Sequence, residues 1–269
     1  MRTVVERIVA YPVLGPIMIL YGLTRSPHCL YAYYFLRSLS HGRPIGRGLR
    51  LGHENGNAFI FPYWEDSIYE DIYSREVYRP LVVAENDVVV DVGAHMGLFT
   101  IKVASDAAKV VAIEPDTFNF NFLMGNLRLN HVQNVIPLNI AAGGENETGF
   151  LLHVPISSRS RISISSTGVP VLVRTLDTIL EELGIRPTWI KIDAEGWELR
   201  ILQGARRTIS TAKPRLVIAS YHYPQEWKEI ASFLTSQGYS CQLYEIAYTM
   251  QCSRDKYILA SATNQKFPK

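Results

Sequence analysis

The sequence predicts an α/β fold, a mostly parallel sheet with helices on both faces, and three observations carry that prediction. The stretch from Asp87 to Asp116 reads strand, glycine turn, helix, strand and closing acid in order. Further short apolar runs, Trp189 to Ile192 and Arg215 to Ser220, are each followed by a helical pattern, which suits strands covered on both faces. The chain has 269 residues, 47% hydrophobic and 19% charged, enough for one large domain with an extension.

Residues 1–80 form the extension. An uncharged stretch, Ile8 to Thr24, is slightly short for a membrane span and is broken by Pro12, Gly15, Pro16 and Gly22. No small-x-small cleavage site follows it. Interior packing or a contact between copies of a homo-oligomer is the first reading, and shallow attachment to a membrane surface is the alternative. His28 to Leu39 reads as a helix, and His41 to Gly56, with five glycines and three arginines, as loop or bent strand. Asn57 to Phe61 is a short strand. Asp66 to Tyr78 has helical apolar spacing, with Tyr69 and Tyr73 read as packing residues rather than ligand contacts.

The second unit, residues 81–269, begins with Val88-Val89-Val90 and Asp91, then Gly93-Ala94-His95-Met96-Gly97, a helix from Leu98, and Val110 to Ile113 ending on Glu114. Gly93 and Gly97 allow a tight turn and close approach of backbone to a ligand. Glu114, about twenty residues on, stands where a carboxylate accepts ribose hydroxyls. A dinucleotide site uses G-x-G-x-x-G; here the spacing is G-x-x-x-G with His95 at the second glycine. A bulky residue there favours a nucleoside ligand without pyrophosphate, such as S-adenosylmethionine, over NAD.

Asp91-Val92-Gly93-Ala94-His95-Met96-Gly97 with Val110-Val111-Ala112-Ile113-Glu114-Pro115 resembles motif I and its acidic partner in class I S-adenosylmethionine-dependent methyltransferases. Thr175-Leu176-Asp177, then Lys191-Ile192-Asp193-Ala194-Glu195-Gly196-Trp197-Glu198 and Leu202-Gln203-Gly204-Ala205, resemble the narrower FkbM type. The resemblance spans Tyr69 to Ala260. It implies a Rossmann-like, seven-stranded, mostly parallel sheet and methyl transfer to oxygen on a small-molecule, glycan or lipid-linked acceptor.

Downstream, Thr117 is read as capping a helix to Asn130, and Asn134 to Asn139 as the third strand. Gly149 to Val154 and Val169 to Arg174 are strands, and the polar segment Pro155 to Gly168 between them is a surface loop or an active-site lid. Helices follow at Thr175 to Leu183, Glu198 to Ala205 and Glu226 to Gln237. Ser240 to Glu245 and Lys256 to Ser261 are expected to close the sheet as an antiparallel pair.

The cofactor set is Asp91, Gly93, Ala94, His95, Gly97, Glu114, Pro115, Asn139, Ala141 and Asp193, with Asn139 and Ala141 implied by the resemblance alone. Asp91 is expected to organise the glycine turn or the methionine amine, and Glu114 to hold the ribose. His95 either reaches the site or caps the helix. In open α/β sheets ligands sit beyond the strands' carboxyl ends, which gathers Asp193, Glu195 and His222 as catalytic candidates. Either carboxylate is expected to act as base with the other orienting the acceptor, and His222 is the competing base. Lys191 is read as structural or paired with a carboxylate. These donors are hard or borderline, but no spacing demands a metal and none is assigned.

A net charge of +2 is too mild to imply nucleic-acid binding. An RNA methyltransferase remains the alternative enzyme, on a faint echo of archaeal tRNA methyltransferases at Asn126 to Asn130, without an N-P-P-Y tetrad. A non-catalytic nucleoside-binding module is the alternative from another class. Cys29, Cys241 and Cys252 carry no zinc spacing, and a reducing, cytoplasmic compartment is their simplest account.

Overall fold

The computed structural model describes residues 43–46, 49–62, 65–74, 76–78, 81–152, 161–163, 168–244 and 249–254. The readings of residues 8–24 and 28–39, and of 256–261 as a strand, lie outside these. No helix among the described residues is long and apolar enough to cross a membrane.

A seven-stranded sheet forms the centre. Its parallel half contains β4 (Val88–Val92), β5 (Lys109–Ile113), β6 (Val135–Leu138), β11 (Trp189–Ile192) and β12 (Arg215–Ala219). The strand order is β13-β14-β12-β11-β4-β5-β6, where β13 is Ser240–Tyr244 and β14 is Thr249–Ser253. β14 runs antiparallel to both neighbours. Side chains alternate across each strand, so Val89, Val110, Trp189 and Val217 face one core while Val90, Val111, Ile190 and Ile218 face the other. Helices α2 (Leu98–Ala104) and α3 (Thr117–Leu129) follow β4 and β5, and α4 (Leu176–Glu182) precedes β11. α5 (Glu198–Gln203) and α6 (Arg206–Thr211) then lie between β11 and β12, and α7 (Glu226–Ser236) leads to β13.

The closing strand differs from expectation. The partner of β13 among the described residues is Thr249–Ser253, upstream of the segment expected. Thr249, Gln251 and Ser253 make this strand look polar, yet all its residues are buried. The same register sets Cys241 opposite Cys252, and a disulfide joins them. Such bonds persist in oxidising compartments, so the cysteines no longer argue for a reducing one.

Ahead of the sheet, β1 (Arg43–Gly46), β2 (Leu49–Glu54) and β3 (Asn57–Pro62) form a three-stranded antiparallel sheet; β3 is the short strand expected, and β1 and β2 fall where loop or bent strand was expected. Asn55 and Gly56, both at positive φ, make the two-residue hairpin turn that an Asn-Gly pair favours. β3 presents its free edge to α3. The Asn126 side-chain amide bonds both backbone groups of Ile60, and the Asn130 amide does the same for Ala58. Phe59 and Phe61 pack inward on the same cluster as Met96 and Leu98. α1 (Asp66–Tyr69) passes into a π-turn, Glu70–Ser74, two short elements where a single helix was expected. Tyr69 stacks on Phe61 and Tyr73 lies tilted against Phe59, so both are packing residues.

A second small sheet has the order β7-β10-β8-β9, from β7 (Ala141–Gly143), β8 (Glu147–Leu152), β9 (Arg161–Ser163) and β10 (Val169–Thr175). β9 belongs to the stretch read as loop or lid, and it pairs with β8. The cap of α3 is Asp116, not Thr117: its carboxylate accepts the Phe118 N–H at 2.8 Å.

Candidate active site

The parallel strands all end on one side, and a cavity of 380 Å³ opens there between β4, β5, β11 and the turn after β12. That size suits a small-molecule ligand. Its floor is the glycine turn. Gly93 and Ala94 both donate to the Ile113 carbonyl at 3.0 Å, tying the exit of β4 to that of β5. Gly93 sits at φ +77°, and a Cβ there would run into the carbonyl oxygen of Asp193, far inside the 3.0 Å that real Cβ atoms respect. The turn therefore lies directly on the backbone that carries the next acid.

Glu114 closes this floor. One carboxylate oxygen accepts the His95 N–H at 2.8 Å and the other the Asp116 N–H at 2.9 Å. Burial raises its pKa to about 7 against these bonds. Glu114 thus shapes the glycine turn as well as facing the cavity. His95 lines the cavity, and burial lowers its imidazole to about 3, so it is neutral. Asn139 does not line the cavity. It donates to the carbonyls of Glu114 (2.8 Å) and Pro115 (3.2 Å), bracing the acidic turn. Ala94, Pro115 and Ala141 do line it, while Gly97, at φ +85°, starts α2 against Leu123.

Asp91 is buried below the floor rather than in it. The register of β11 against β4 sets Lys191 beside Asp91, and their charges meet at 3.0 Å. The Thr100 hydroxyl donates to the other Asp91 oxygen at 2.6 Å. Lys191 also donates to the Gly93 carbonyl at 2.9 Å, so Asp91 acts on the turn through the lysine. Burial opposes the lysine's charge, but Asp91, Asp193 and Glu114 prevail and hold it above the usual amine range.

The far wall is the turn from Asp193 to Glu198, with Glu195 and Gly196 both at positive φ. One Asp193 oxygen accepts the Tyr78 hydroxyl, and the other lies 3.4 Å from His222 Nε2. Burial works against the Asp193 charge, yet His222, Lys191 and Tyr78 outweigh it and keep the carboxyl well below the usual range. Glu195 Oε2 is 3.9 Å from the same His222 nitrogen, and its side chain is 31% exposed. On the other side of the ring, Nδ1 lies 3.3 Å from Glu198 and 3.4 Å from Glu226. Burial disfavours the imidazolium, but Asp193, Glu198 and Glu226 together push His222 up to about 12. These acids favour the protonated ring at neutral pH, a form that does not accept a further proton.

The three catalytic candidates do come together, within reach of one imidazole. The sequence reading missed Tyr78, which reaches Asp193 from beyond the π-turn, and Asn119, a buried cavity residue whose Oδ1 lacks a hydrogen bond. Asn119 could have been found from its place in the first turn of the helix after the acid. Tyr78 carried no local signal.

A family model described as the methyltransferase FkbM domain matches residues 91–241, more than half of the chain. The chain belongs to the FkbM methyltransferase family. Its sheet order and antiparallel β14 are those of the class I methyltransferase fold, and a solved structure agrees: methyltransferase FkbM from Methylobacillus flagellatus KT. The two superpose with a TM-score of 0.51 at 23% identity, over 93% of this chain and 59% of that one. Hexuronic acid methyltransferase AglP from Haloferax volcanii is 26% identical over 177 residues, which is 64% of this chain and 72% of that protein. A tRNA(Phe) (4-demethylwyosine(37)-C(7)) aminocarboxypropyltransferase from Methanocaldococcus jannaschii is 45% identical over only 56 residues, 20% of this chain and 22% of its own.

Proposed function

We propose that this FkbM-family chain transfers the methyl group of S-adenosylmethionine to a hydroxyl oxygen of a small-molecule or glycan acceptor, with Glu195 as the base. The cavity's donor set fits such a cofactor. The Gly93 turn leaves no room for a side chain, and Glu114 offers a buried carboxylate to ribose hydroxyls. Asn119 Oδ1 is a buried acceptor without a partner. When bound, the cofactor's sulfonium supplies an already activated methyl group.

The observation that carries the assignment of roles is the unequal surroundings of Asp193 and Glu195. Asp193 holds Tyr78 and faces His222, and its lowered pKa makes it a weak proton acceptor. Its part is to fix the wall. Glu195 lines the same cavity and stays partly open to solvent, where an acceptor can enter and its proton can leave. The Glu195 carboxylate would take the acceptor's hydroxyl proton as that oxygen displaced the methyl carbon from sulfur, the carbon–sulfur bond breaking with its electron pair left on a neutral thioether. His222, protonated, steadies both carboxylates.

A sugar acid is the acceptor class to try first, because a relative covering most of its length is named for one. The net charge of +2 gives less support to an RNA acceptor. The test measures transfer of labelled methyl from S-adenosylmethionine to uronic-acid-bearing oligosaccharides and to RNA, alongside calorimetric titration with the cofactor and with NAD. Glu195→Gln should lower kcat by about 10²–10⁴-fold with cofactor affinity unchanged. Full turnover in that variant removes Glu195 as base, and NAD binding without a response to the methyl donor removes the reading altogether.

A further inference from the structure

The side of His222 turned away from the cavity holds two carboxylates that methyl transfer does not use. Glu198 comes from the first turn of α5 and Glu226 from the start of α7, and both are fully buried. Among the described residues neither has a lysine or arginine partner. The contacts of Glu198 are the Ala194 N–H at 2.7 Å, His222 and the other acid, and those of Glu226 are the His222 N–H at 2.8 Å, His222 and the other acid. One oxygen of each, Glu198 Oε2 and Glu226 Oε1, is buried without a hydrogen bond, and so are both ring nitrogens of His222. Burial and the neighbouring Glu226 raise the Glu198 carboxyl to about 7, so the pair either keeps a proton between its two acids or, with both ionised, needs a positive charge beyond the one imidazole.

Geometry indicates what supplies it. His222 Nδ1 stands 3.3 Å from Glu198 Oε1 and 3.4 Å from Glu226 Oε2, both longer than the usual range of about 2.7–3.2 Å for an N–H···O bond. One Nδ1 proton also serves only one of two nearly equidistant acids well. Around a tetrahedral ion with ligands at about 2.0–2.1 Å, neighbouring ligand atoms are about 3.4 Å apart. The donor atoms of Glu198, His222 and Glu226 all lie within 4.8 Å of one another.

We propose that Glu198, His222 Nδ1 and Glu226 bind one divalent first-row cation, Zn²⁺ in the first instance, on the face of the ring opposite the methyl-transfer cavity. One nitrogen and two carboxylates suit a borderline cation better than magnesium, which keeps to oxygen. The ion takes the place of the Nδ1 proton and balances both acids. It fixes the tautomer with hydrogen on Nε2, toward Asp193, the usual outer partner of a metal-bound histidine. The acids that hold it also accept the Ala194 and His222 backbone N–H groups, so the ion staples the turn bearing Asp193 and Glu195 to α7.

The test strips the full chain with a chelator, removes the chelator, and titrates it with ZnCl₂ and CoCl₂. One Zn²⁺ per chain, a rise in Tm on zinc addition, and the strong visible bands of tetrahedral cobalt are expected. Glu226→Gln should weaken zinc binding by more than the roughly 10–100-fold lost with an outer partner. Glu195→Gln, on the other side of the ring, should leave zinc affinity within about threefold, being no ligand. Absence of stoichiometric zinc, or a Tm indifferent to it, overturns the proposal. So does loss of zinc in Glu195→Gln with retention in Glu226→Gln, which puts the ion in the cavity. Should Glu226→Gln fail to fold, the cobalt spectrum of the unaltered chain decides, and absent or weak six-coordinate bands overturn the site. None of these readouts depends on a methyl acceptor.

Discussion

Gly93→Ala should be among the most damaging small substitutions in this protein, and the structure supplies both parts of its cost. At φ +77° an alanine sits in the left-handed region, at about 1–2 kcal/mol. Its Cβ also meets the carbonyl oxygen of Asp193, a backbone atom between two central strands that cannot swing aside as a side chain would. Overpacking of this kind costs about 1–3 kcal/mol. Together these give about 2–5 kcal/mol, or a fall in the urea midpoint of about 1–2 M at an ordinary slope. Gly125→Ala provides the matched comparison. Gly125 lies inside α3 with nothing within 4 Å of an added Cβ. The same chemical change there should stabilise by about 0.5–1 kcal/mol, because alanine loses less backbone entropy in a helix. Urea unfolding followed by far-UV circular dichroism, with cofactor titration on the folded variants, reads both. If Gly93→Ala unfolds within about 0.5 kcal/mol of the parent and binds cofactor normally, the glycine turn does not lie on Asp193 and the site is wrongly built.

Two other substitutions test the buried charges. Lys191→Met leaves Asp91 buried with only the Thr100 hydroxyl, and should cost about 3–5 kcal/mol, a Tm loss of roughly 6–20 °C by differential scanning calorimetry. Because the folded lysine lies above its unfolded value near 10.5, its contribution is complete below that pH and is lost as pH rises through the folded value; the variant should lack this alkaline limb. Glu114 shows the opposite sign. Its folded carboxyl is raised from 4.5 to about 7, so it detracts from stability as pH rises across that window, while cofactor affinity should rise as the carboxylate forms. Glu114→Gln should flatten the calorimetric pH profile of cofactor binding around about pH 7 and weaken binding by about 1.5–3 kcal/mol, and a profile unchanged from the parent places the ribose elsewhere.

The strand-turn-helix core was legible because its signals are local. β-branched runs, two glycines and a closing acid all fall within thirty residues, and they fold as the strands, turn and strand end that their order suggests. Asp91 was legible as an organiser of the glycine turn and Lys191 as the partner of a carboxylate, but not that the two pair, since Lys191 follows 100 residues later and meets Asp91 only through strand register. The same holds for His222. Its placement at a strand end was readable, but the closing of four carboxylates around one ring depends on how α5 and α7 start beside each other. β14 escaped because burial between two strands, rather than hydrophobicity, makes it a strand. The Asn55-Gly56 pair was a signal present and not used.

The asparagine clamps of α3 change what can be cut away. A boundary near residue 80 looks natural in the sequence, where the cofactor motif begins, but the packing does not divide there. Phe59, Phe61, Tyr69 and Ile72 share one buried cluster with Val89, Met96, Leu98 and Leu127. A shortened chain starting at residue 81 would bare that apolar face of α2 and α3. It would also turn the amides of Asn126 and Asn130, now saturated by the β3 backbone, toward water. Tyr78, which reaches Asp193 across the cavity, would leave with the discarded piece. Residues from Ile68 to Tyr78 therefore form a wall of the cavity, and a shortened chain that keeps this wall and the asparagine clamps has to retain β3.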